Sequence, residues 1–458
     1  ASAVLHCPSM KGEPDFFQSL RDEFGGGRQW LDRVVVLVYA VLAGLAVVAL
    51  TLLADAATEA YGSLRSMAWW VPLVWTPAIT ALVVWSIRRW APGAGGSGVP
   101  QVLVALDPAT PIAERPRFVS LRVTVAKILA VSGALLAGLS VGRQGPSVQV
   151  AAGVMLHARR WLSPGSGISD RELLVAGGAA GIAAAFNTPL GGIVFAIEEL
   201  SRRLTERSSG LMLAGIVIAG LVAVSAFGNL ATFGRVRTDG ISWWTLLLPG
   251  LLVAITCGLV GGLLSRLMLA SFTGLPDRFC AYRRKRPVAF AAFCGFAVGV
   301  IAVISGGSAV GVGHEHTRAL LDGGELDEHQ PLVFTFLKFI ASWLSAWAGV
   351  PGGIFGPSLS LGAGVAADIA WLLDSPHATA LIALGMCGLL AAVTQAPITA
   401  MIIVMEMTEG HGMVPSLIAC ALLASLVSRM ISRPLYSTMA QFMMRSLREP
   451  TVEGSGPR

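Results

Sequence analysis

Charged residues are scarce in this sequence. Asp, Glu, Lys and Arg together make up only 13% of its 458 residues, whereas 54% are hydrophobic. A typical soluble domain is about 25% charged. The composition excludes an ordinary soluble domain and indicates a polytopic integral membrane protein.

Closely spaced cysteines are also missing. The six cysteines are scattered without CxxC spacing at Cys7, Cys257, Cys280, Cys294, Cys387 and Cys420. Most have apolar neighbours, where cysteine usually acts as a small core residue. We therefore predict neither disulfides nor a cysteine metal site.

The excess of positive charge does not indicate a nucleic-acid partner. The formal charge is +6, but the basic residues lie in short clusters between apolar runs, such as residues 88–89, 202–203 and 283–286. Cytoplasmic loops of membrane proteins carry this excess of arginine and lysine. We expect a lipid bilayer around the chain and no nucleic acid.

Apolar runs long enough to cross a membrane are present. A helix needs roughly 20 residues to span the ~30 Å hydrocarbon layer, and runs of that length lie at residues 34–54, 68–87, 211–233, 243–270 and 288–305. Since many runs follow the first, we interpret it as a span rather than a signal peptide. After Lys127 most apolar segments are short and interrupted by Gly and Pro, which is tolerated at membrane depth only in buried positions or beside a cavity. We predict an all-α protein with many tilted and broken helices.

One interruption, Gly-Arg-Gln-Gly-Pro-Ser-Val at residues 142–148, has unusual chemistry. A glycine break followed by proline at a helix start leaves backbone N–H groups without partners, and such a helix start attracts anions. This predicts an anion site inside the membrane, with Gln144 at its centre.

The interruption recurs later in the chain. At shifts of 211 and then 208 residues, the matching positions are Lys127 with Lys338, residues 145–147 with 356–358, Pro189 with Pro397, and Glu198 with Glu406. Paired broken helices indicate a transport site between two repeats, and inverted repeats would aim two positive helix ends at one point. The predicted divisions are an N-terminal cytosolic segment at 1–30, repeats at 31–230 and 231–440, and a tail at 441–458.

Three motifs connect the sequence to a known family. Residues 96–100, 142–146 and 353–357 resemble the pore motifs of the CLC chloride channels and chloride/proton exchangers, and residues 185–199, 404–408 and 433–437 resemble further stretches of the bacterial members. The resemblance covers about residues 30–440. It implies two inverted repeats of the CLC type without cytosolic regulatory domains, and a homodimer with one pore per subunit. It also implies chloride as substrate without a cofactor, and a multi-pass position in the cell inner membrane with both termini cytoplasmic.

The resemblance also implies roles for individual residues. Ser97 and Tyr436 match residues whose hydroxyls coordinate the central anion, and the N–H groups of Ile354 and Phe355 match its other donors. Such neutral donors suit a weakly held halide. Ser97 is typical of chloride-preferring members rather than nitrate- or fluoride-preferring ones.

The second motif supplies further expected anion contacts at Arg143, Gln144 and Gly145, with Arg143 anchoring the segment or lining the mouth. Glu199 resembles the family's inner proton-handling glutamate. Buried carboxylates usually find partners, so we expect Glu198 and Glu406 to serve structure. The same principle makes Lys127 and Lys338 supports beside the pore.

Gln144 departs from the family pattern, in which a glutamate gate occupies this position. A glutamine amide does not titrate, so it can neither compete as a charge nor carry a proton. We predict passive, pH-insensitive anion flux without proton coupling. The alternative is a native chloride/proton antiporter in which Gln144 is an engineered mimic of the protonated gate.

Other functions fit the sequence less well. Residues 138–142 satisfy the nucleophile-elbow pattern around Ser140, but no strand precedes them and no triad is evident, so we predict no enzyme. The glycines at 93–98 follow a membrane span rather than a strand, which argues against dinucleotide binding. For His314 and His316 we expect a solvated loop and no metal. A receptor or structural protein gives no reason for paired Gly-Pro-Ser breaks.

Overall fold

The structure, a computed structural model, describes most of the chain. The described residues are 27–201, 209–228, 233–234, 236, 243–274, 278–322 and 332–448. They form α-helices and short helical turns without a named β-strand, which confirms the all-α prediction. Most of the N-terminal segment predicted at 1–30 lies outside the described residues, as does Cys7.

Eight helices make up the first half of the chain. They are α1 (Gly27–Met67), α2 (Val71–Trp90), α3 (Val99–Leu106), α4 (Leu121–Leu136), α5 (Gln144–His157), α6 (Asp170–Phe186), α7 (Pro189–Phe195) and α8 (Ser209–Phe227). A π-helical turn, Ala196–Leu200, continues α7. Helix α8 ends before the end of the apolar run predicted at 211–233.

Ten more helices follow. They are α9 (Trp243–Thr273), α10 (Arg278–Lys285), α11 (Pro287–Ile304), α12 (His314–Leu321), α13 (Val333–Trp347), α14 (Phe355–Leu372), α15 (Ala378–Thr394), α16 (Pro397–Met407), α17 (Val414–Ile431) and α18 (Leu435–Arg448). Seven described helices are long and apolar enough to cross a membrane: α1, α2, α4, α8, α9, α11 and α17. The short helices after Lys127 confirm that many segments do not span.

The two halves repeat one helix order. Helices α1–α8 correspond in sequence to α9 and α11–α17, with α10 inserted and α18 added at the end. Contacts between the halves are reciprocal: the Glu198 carboxylate accepts the N–H of Thr399 at 2.7 Å, and the Glu406 carboxylate accepts the N–H of Gly191 at 2.8 Å. Each carboxylate thus caps a helix start in the other half, as expected for structural acids. The repeat boundary at 230/231 stays a prediction.

The centre of the molecule is formed by α5, α6, α14 and α15, in which most residues are buried. Small residues allow these helices to approach closely. A Cβ on Gly362 of α14 would collide with the carbonyl oxygen of Gly385 on α15, and the converse also holds. The short central helices are therefore stabilised by packing around the point where α5 and α14 begin.

Candidate functional site

The three glycine-rich breaks meet at the centre of the protein. The N–H of Gly142 donates to the Gly353 carbonyl at 2.7 Å, and the reverse bond is also 2.7 Å, so the two segments form an antiparallel bridge. The N–H of Gly352 donates to the Gly96 carbonyl at 3.2 Å. A Cβ on Gly353 would lie only 2.8 Å from the Gly145 nitrogen. Glycine is required here because the two backbones touch.

The starts of α5 and α14 leave backbone N–H donors where the three glycine-rich breaks meet, a place called here the junction. In α14 the first intrahelical bond runs from the N–H of Ser358 to the carbonyl of Ile354 at 2.9 Å, so the N–H groups of Ile354 and Phe355 precede it. In α5 the equivalent bond runs from Ser147 to Arg143, also at 2.9 Å. Two positive helix ends therefore lie side by side, and helix starts of this kind bind anions.

Two hydroxyls complete the junction. Ser97 is 7% exposed and Tyr436 1% exposed. Their hydroxyls lie near each other, and neither bonds to any other described residue. A Cβ on Gly145 would lie 2.5 Å from Ser97 Oγ. The structure thus brings Ser97, Tyr436 and Gly145 together, and their role as anion ligands stays a prediction. Buried hydroxyls usually have a partner, so these two are available as donors to a bound group.

Aromatic packing holds Tyr436 in place. Its ring stacks on Phe355 with centroids 5.8 Å apart and planes at 22°. Phe355 also contacts Phe186 edge-on at 5.8 Å and Phe195 at 6.3 Å. Such aromatic pairs contribute beyond their buried area, so this cluster fixes both the first residue of α14 and the hydroxyl opposite Ser97.

Gln144, at the start of α5, is 1% exposed. Its Oε1 has no hydrogen-bond partner among the described residues. A Cβ on Gly356 of α14 would lie 3.2 Å from this oxygen and 2.7 Å from Cγ1 of Val312. The glutamine amide therefore faces the segment that precedes α12.

A cavity of about 710 Å³ leads to the two hydroxyls. It is lined by Ser97 and Tyr436 and by three arginines, Arg88, Arg283 and Arg284. None of the described residues that line it is acidic. Arg283 is held by a 2.6 Å hydrogen bond to the Ser271 carbonyl. The cavity, called here the arginine vestibule, is therefore strongly positive.

A second cavity of about 960 Å³ lies on the other side of the α18 start. Glu198 and Glu199 line it together with arginines at positions 171, 429 and 433. Glu199 lies on the π-helical turn, is half-buried, and is within electrostatic reach of the Tyr436 hydroxyl. Glu199 is therefore close to the junction but not part of it.

Arg143 lies directly before Gln144, at the start of α5. Its guanidinium forms an ion pair with Asp55 of α1, and the side chains are 12% and 52% exposed respectively. This ion pair fixes the start of α5, and the contact of Arg143 with an anion stays a prediction.

Two fully buried lysines support the loops beside the junction. The Lys127 ammonium donates to the carbonyls of Ala94 at 2.9 Å and Gly96 at 2.6 Å. The Lys338 ammonium donates to the Gly311 carbonyl at 2.9 Å. Both lysines hold backbone segments, in agreement with the supporting role expected from the repeat.

The expectation of a solvated loop at His314 and His316 is wrong, because these residues begin the helix α12. The helix forms where Gly313 provides the left-handed conformation needed before it, with φ at 86°. A shift of 215 would have set Gly96 and Gly98 on Gly311 and Gly313, and so would have revealed this segment. No metal-binding group occurs in the described ranges.

Ser140 has structural partners instead of a catalytic triad. Its hydroxyl lies 3.0 Å from the Ser342 hydroxyl, and its N–H donates to Ser345 Oγ at 3.0 Å. These contacts tie the segment before α5 to α13. The five described cysteines are all buried, which agrees with the prediction that they are core residues.

The sequence is similar to a known family and to proteins of several bacteria. The family described as "Voltage gated chloride channel" matches residues 79–429. The H(+)/Cl(-) exchange transporter ClcA of Citrobacter koseri is 30% identical over 396 residues, which cover 82% of this chain and 81% of that protein. The ClcA protein of Cronobacter sakazakii is 30% identical over 403 residues, covering 85% and 84%.

Solved structures have the same fold. A slow cyanobacterial Cl-/H+ antiporter has a TM-score of 0.75 at 23% identity, with 92% of this chain and 99% of that chain covered. A CLC-type fluoride/proton antiporter has a TM-score of 0.73 at 18% identity, with 93% and 99% covered. These likenesses show that the chain has the fold of CLC-type transporters. The chain belongs to the CLC family and is a multi-pass membrane protein that transports anions.

Proposed function

We propose that this protein conducts chloride passively, without proton coupling. The observation that carries the proposal is the buried Gln144 amide at the start of α5. A neutral amide at this position neither blocks the path as a charge nor transfers a proton at any accessible pH. Flux is then independent of a titrating gate.

The proposed anion path runs through the junction of the three motifs. The Ser97 and Tyr436 hydroxyls and the N–H groups of Ile354, Phe355 and Gly145 act as donors. These groups are neutral and lie at two positive helix ends, so they hold a halide without the tight binding of a full cationic partner. Chloride is the proposed substrate, and the arginine vestibule supplies it.

The experiment measures chloride efflux and proton movement from proteoliposomes. We expect the chloride flux to stay within about one order of magnitude from about pH 5 to about pH 8, since no gate carboxyl titrates near neutral pH. A chloride gradient should drive no uphill proton movement. Proton pumping by the unaltered protein would reject the uncoupled mechanism.

Gln144→Glu is the informative variant. Its carboxylate, when ionised, competes with anions, so flux should fall as the pH rises and return as the carboxyl is protonated. Gln144→Ala is the matched control, because it removes the side chain without adding a titratable group. Identical flat pH profiles in both variants would show that position 144 does not act as a gate.

Coupled exchange is the second candidate function. It is favoured by the names of the relatives, which are H(+)/Cl(-) exchange transporters, and by the position of Glu199 beside the second cavity. In that case Gln144→Glu would restore the native mechanism and produce stoichiometric proton movement, with Glu199 delivering protons from the second cavity. The same liposome assay separates the two functions.

Orientation and assembly follow from charge and exposed apolar surface. The arginine vestibule and the second cavity face the proposed cytoplasmic side of the inner membrane, because cytoplasmic segments carry the excess of arginine; both termini are proposed to lie there. Leu190 of α7 and Ile398 of α16 are 53% and 47% exposed, and Leu422 and Leu426 of α17 are also exposed. Helix α16 contacts both α7 and α17, so these apolar side chains belong to neighbouring helices. We assign this apolar surface to a homodimer with one pore per subunit.

A further inference from the structure

The loop before α12 copies the loop before α3. Gly96 and Gly98 have φ angles of 73° and 110°, and Gly311 and Gly313 have φ angles of 65° and 86°. Only glycine adopts such angles readily. The last glycine of each loop is the residue at which the helix begins. The two loops are therefore equivalent parts of the inverted repeats.

The same kind of support lies behind each loop. Lys127 donates to the Gly96 carbonyl at 2.6 Å, and Lys338 donates to the Gly311 carbonyl at 2.9 Å. The first loop carries the Ser97 hydroxyl to the junction. At the equivalent position the second loop carries Val312, which has no donor. Any side-chain donor beside this second loop therefore comes from a residue other than Val312.

His314, the first residue of α12, is in a position to supply that donor. Its Nε2 atom is buried and has no hydrogen-bond partner among the described residues. Its ring packs edge-on against Phe233, with centroids 5.4 Å apart and planes at 82°. The imidazole is thus held by packing while one of its nitrogens remains available.

The surroundings of His314 are positive. Its imidazole lies within electrostatic reach of the Arg143 guanidinium and the Lys338 ammonium. Lys338 is fully buried, and Arg143 is paired with the more exposed Asp55. Charges in such poorly hydrated places act more strongly than in water. The potential around His314 therefore favours an anion.

The segment with His314 also lies beside Gln144. A Cβ on Gly356 would lie 2.7 Å from Val312 Cγ1 and 3.2 Å from Gln144 Oε1, so both side chains lie beside Gly356. Ser97 instead lies against Gly145 and the arginine vestibule. The loop that leads into His314 therefore lies beside Gln144, whereas Ser97 lies beside Gly145.

We propose that His314 coordinates a monovalent anion such as chloride or bromide on the Gln144 side of the antiparallel bridge. An imidazole carries at least one N–H in either protonation state, so its Nε2–H tautomer donates to the anion while Arg143 and Lys338 supply the potential. The first repeat offers the Ser97 hydroxyl to an anion at the junction, called here the inner anion. The second repeat offers His314 to an anion on the Gln144 side, called here the outer anion. This inference rests on the proposed anion path.

The test is His314→Phe, which keeps a ring against Phe233 and removes the donor. Bromide binding to the purified protein is measured by isothermal titration, and bromide positions by anomalous diffraction. We expect the outer bromide to weaken by roughly three- to tenfold, the loss expected for one hydrogen bond, while the inner bromide beside Ser97 is retained. Chloride flux at low chloride should fall by a similar factor.

His316→Phe is the matched control. His316 lies on the same helix, but its ring packs on Phe334 with centroids 4.0 Å apart. We expect this variant to bind bromide and conduct like the parent protein. His314→Gln, which keeps an N–H donor on a similar length of side chain, should recover part of the outer binding. This recovery would show that His314→Phe had not simply disturbed the fold.

Equal outer-site affinity in the parent protein and His314→Phe would overturn the proposal. So would the absence of bromide near His314 in a crystal where bromide occupies the inner site. Neither result bears on proton coupling, since coupling is read from proton movement in liposomes. Failure of the histidine proposal is therefore distinguishable from failure of the uncoupled mechanism.

Discussion

The start of α5 and the start of α14 are alike in backbone and different in side chain. Each follows a glycine of the central bridge, contains Gly-Pro-Ser, and exposes N–H groups before its first intrahelical bond. The side chains at the equivalent positions are Gln144 and Phe355. Phe355 packs against three aromatic rings, whereas the Gln144 Oε1 has no hydrogen-bond partner among the described residues.

This difference separates the two tasks of the site. Backbone symmetry brings two positive helix ends to one place, which requires glycine at the contact. Side-chain asymmetry then makes one end rigid, through Phe355 and Tyr436, and leaves a polar amide at the other. An amide at the end of a flexible side chain can move aside without breaking a packed cluster, which suits a position on a conduction path.

The largest effect is expected from Gly353→Ala, which disrupts the backbone contact between the starts of α5 and α14. The new Cβ would lie 2.8 Å from the Gly145 nitrogen and 3.1 Å from Pro146 Cδ. Because the obstructing atoms belong to the opposing backbone and to a proline ring, we expect a stability loss of about 3 kcal/mol or more and loss of chloride flux. Thermal unfolding in detergent and liposome efflux measure the two effects.

Gly165→Ala serves as the control for that variant, since a Cβ there meets nothing within 4 Å. It should leave both the unfolding midpoint and the flux unchanged. Normal flux through Gly353→Ala would mean that the two helix starts do not need to touch.

A second pair of variants compares the contributions of the two different side chains, Phe355 and Gln144, to stability. Phe355→Ala opens the aromatic cluster and should cost about 3 kcal/mol, as expected for truncating a buried phenylalanine. Gln144→Ala should cost less than about 1 kcal/mol, because its amide oxygen makes no hydrogen bond that is lost. The comparison is made from unfolding midpoints in the same detergent. Equal losses would contradict the distinction between a rigid end and a movable end.

The smallest effect is expected from the arginine vestibule. Arg283→Gln removes one charge from the 710 Å³ cavity and should lower chloride flux by roughly two- to threefold at low salt, through weaker electrostatic attraction of anions. The difference should shrink at about 0.15 M salt, where charges are screened over ~8 Å. Flux at the two ionic strengths is the measurement.

Arg160→Gln is the matched surface control. Arg160 is exposed and does not line the vestibule. Its substitution should leave flux at both salt concentrations unchanged. If it lowered flux as much as Arg283→Gln, the effect would come from overall charge and not from the cavity.

Much of the fold was predictable because its signals are local or periodic. The apolar runs predicted the spans, and the recurrence of Lys127 and of Gly-Pro-Ser predicted the repeat and its paired helix starts. The reading of His314 as part of a solvated loop failed for a physical reason. A polar segment next to a buried lysine and a pore helix has the same composition as a segment in water, so composition alone does not separate them.

Sequence was sufficient to establish a helical membrane protein with two repeats, because hydrophobic length and repeated glycine-proline breaks are properties of the chain itself. It also identified Gln144 as a side chain that does not titrate, since titration depends on the chemistry of that one residue. The tertiary structure added the contacts between distant segments: the bridge from Gly142 to Gly353, the reciprocal caps of Glu198 and Glu406, and the position of His314. Such contacts form only when the two halves of the chain fold against each other, because the residues that meet are far apart in the sequence: the bridged glycines are separated by 211 positions.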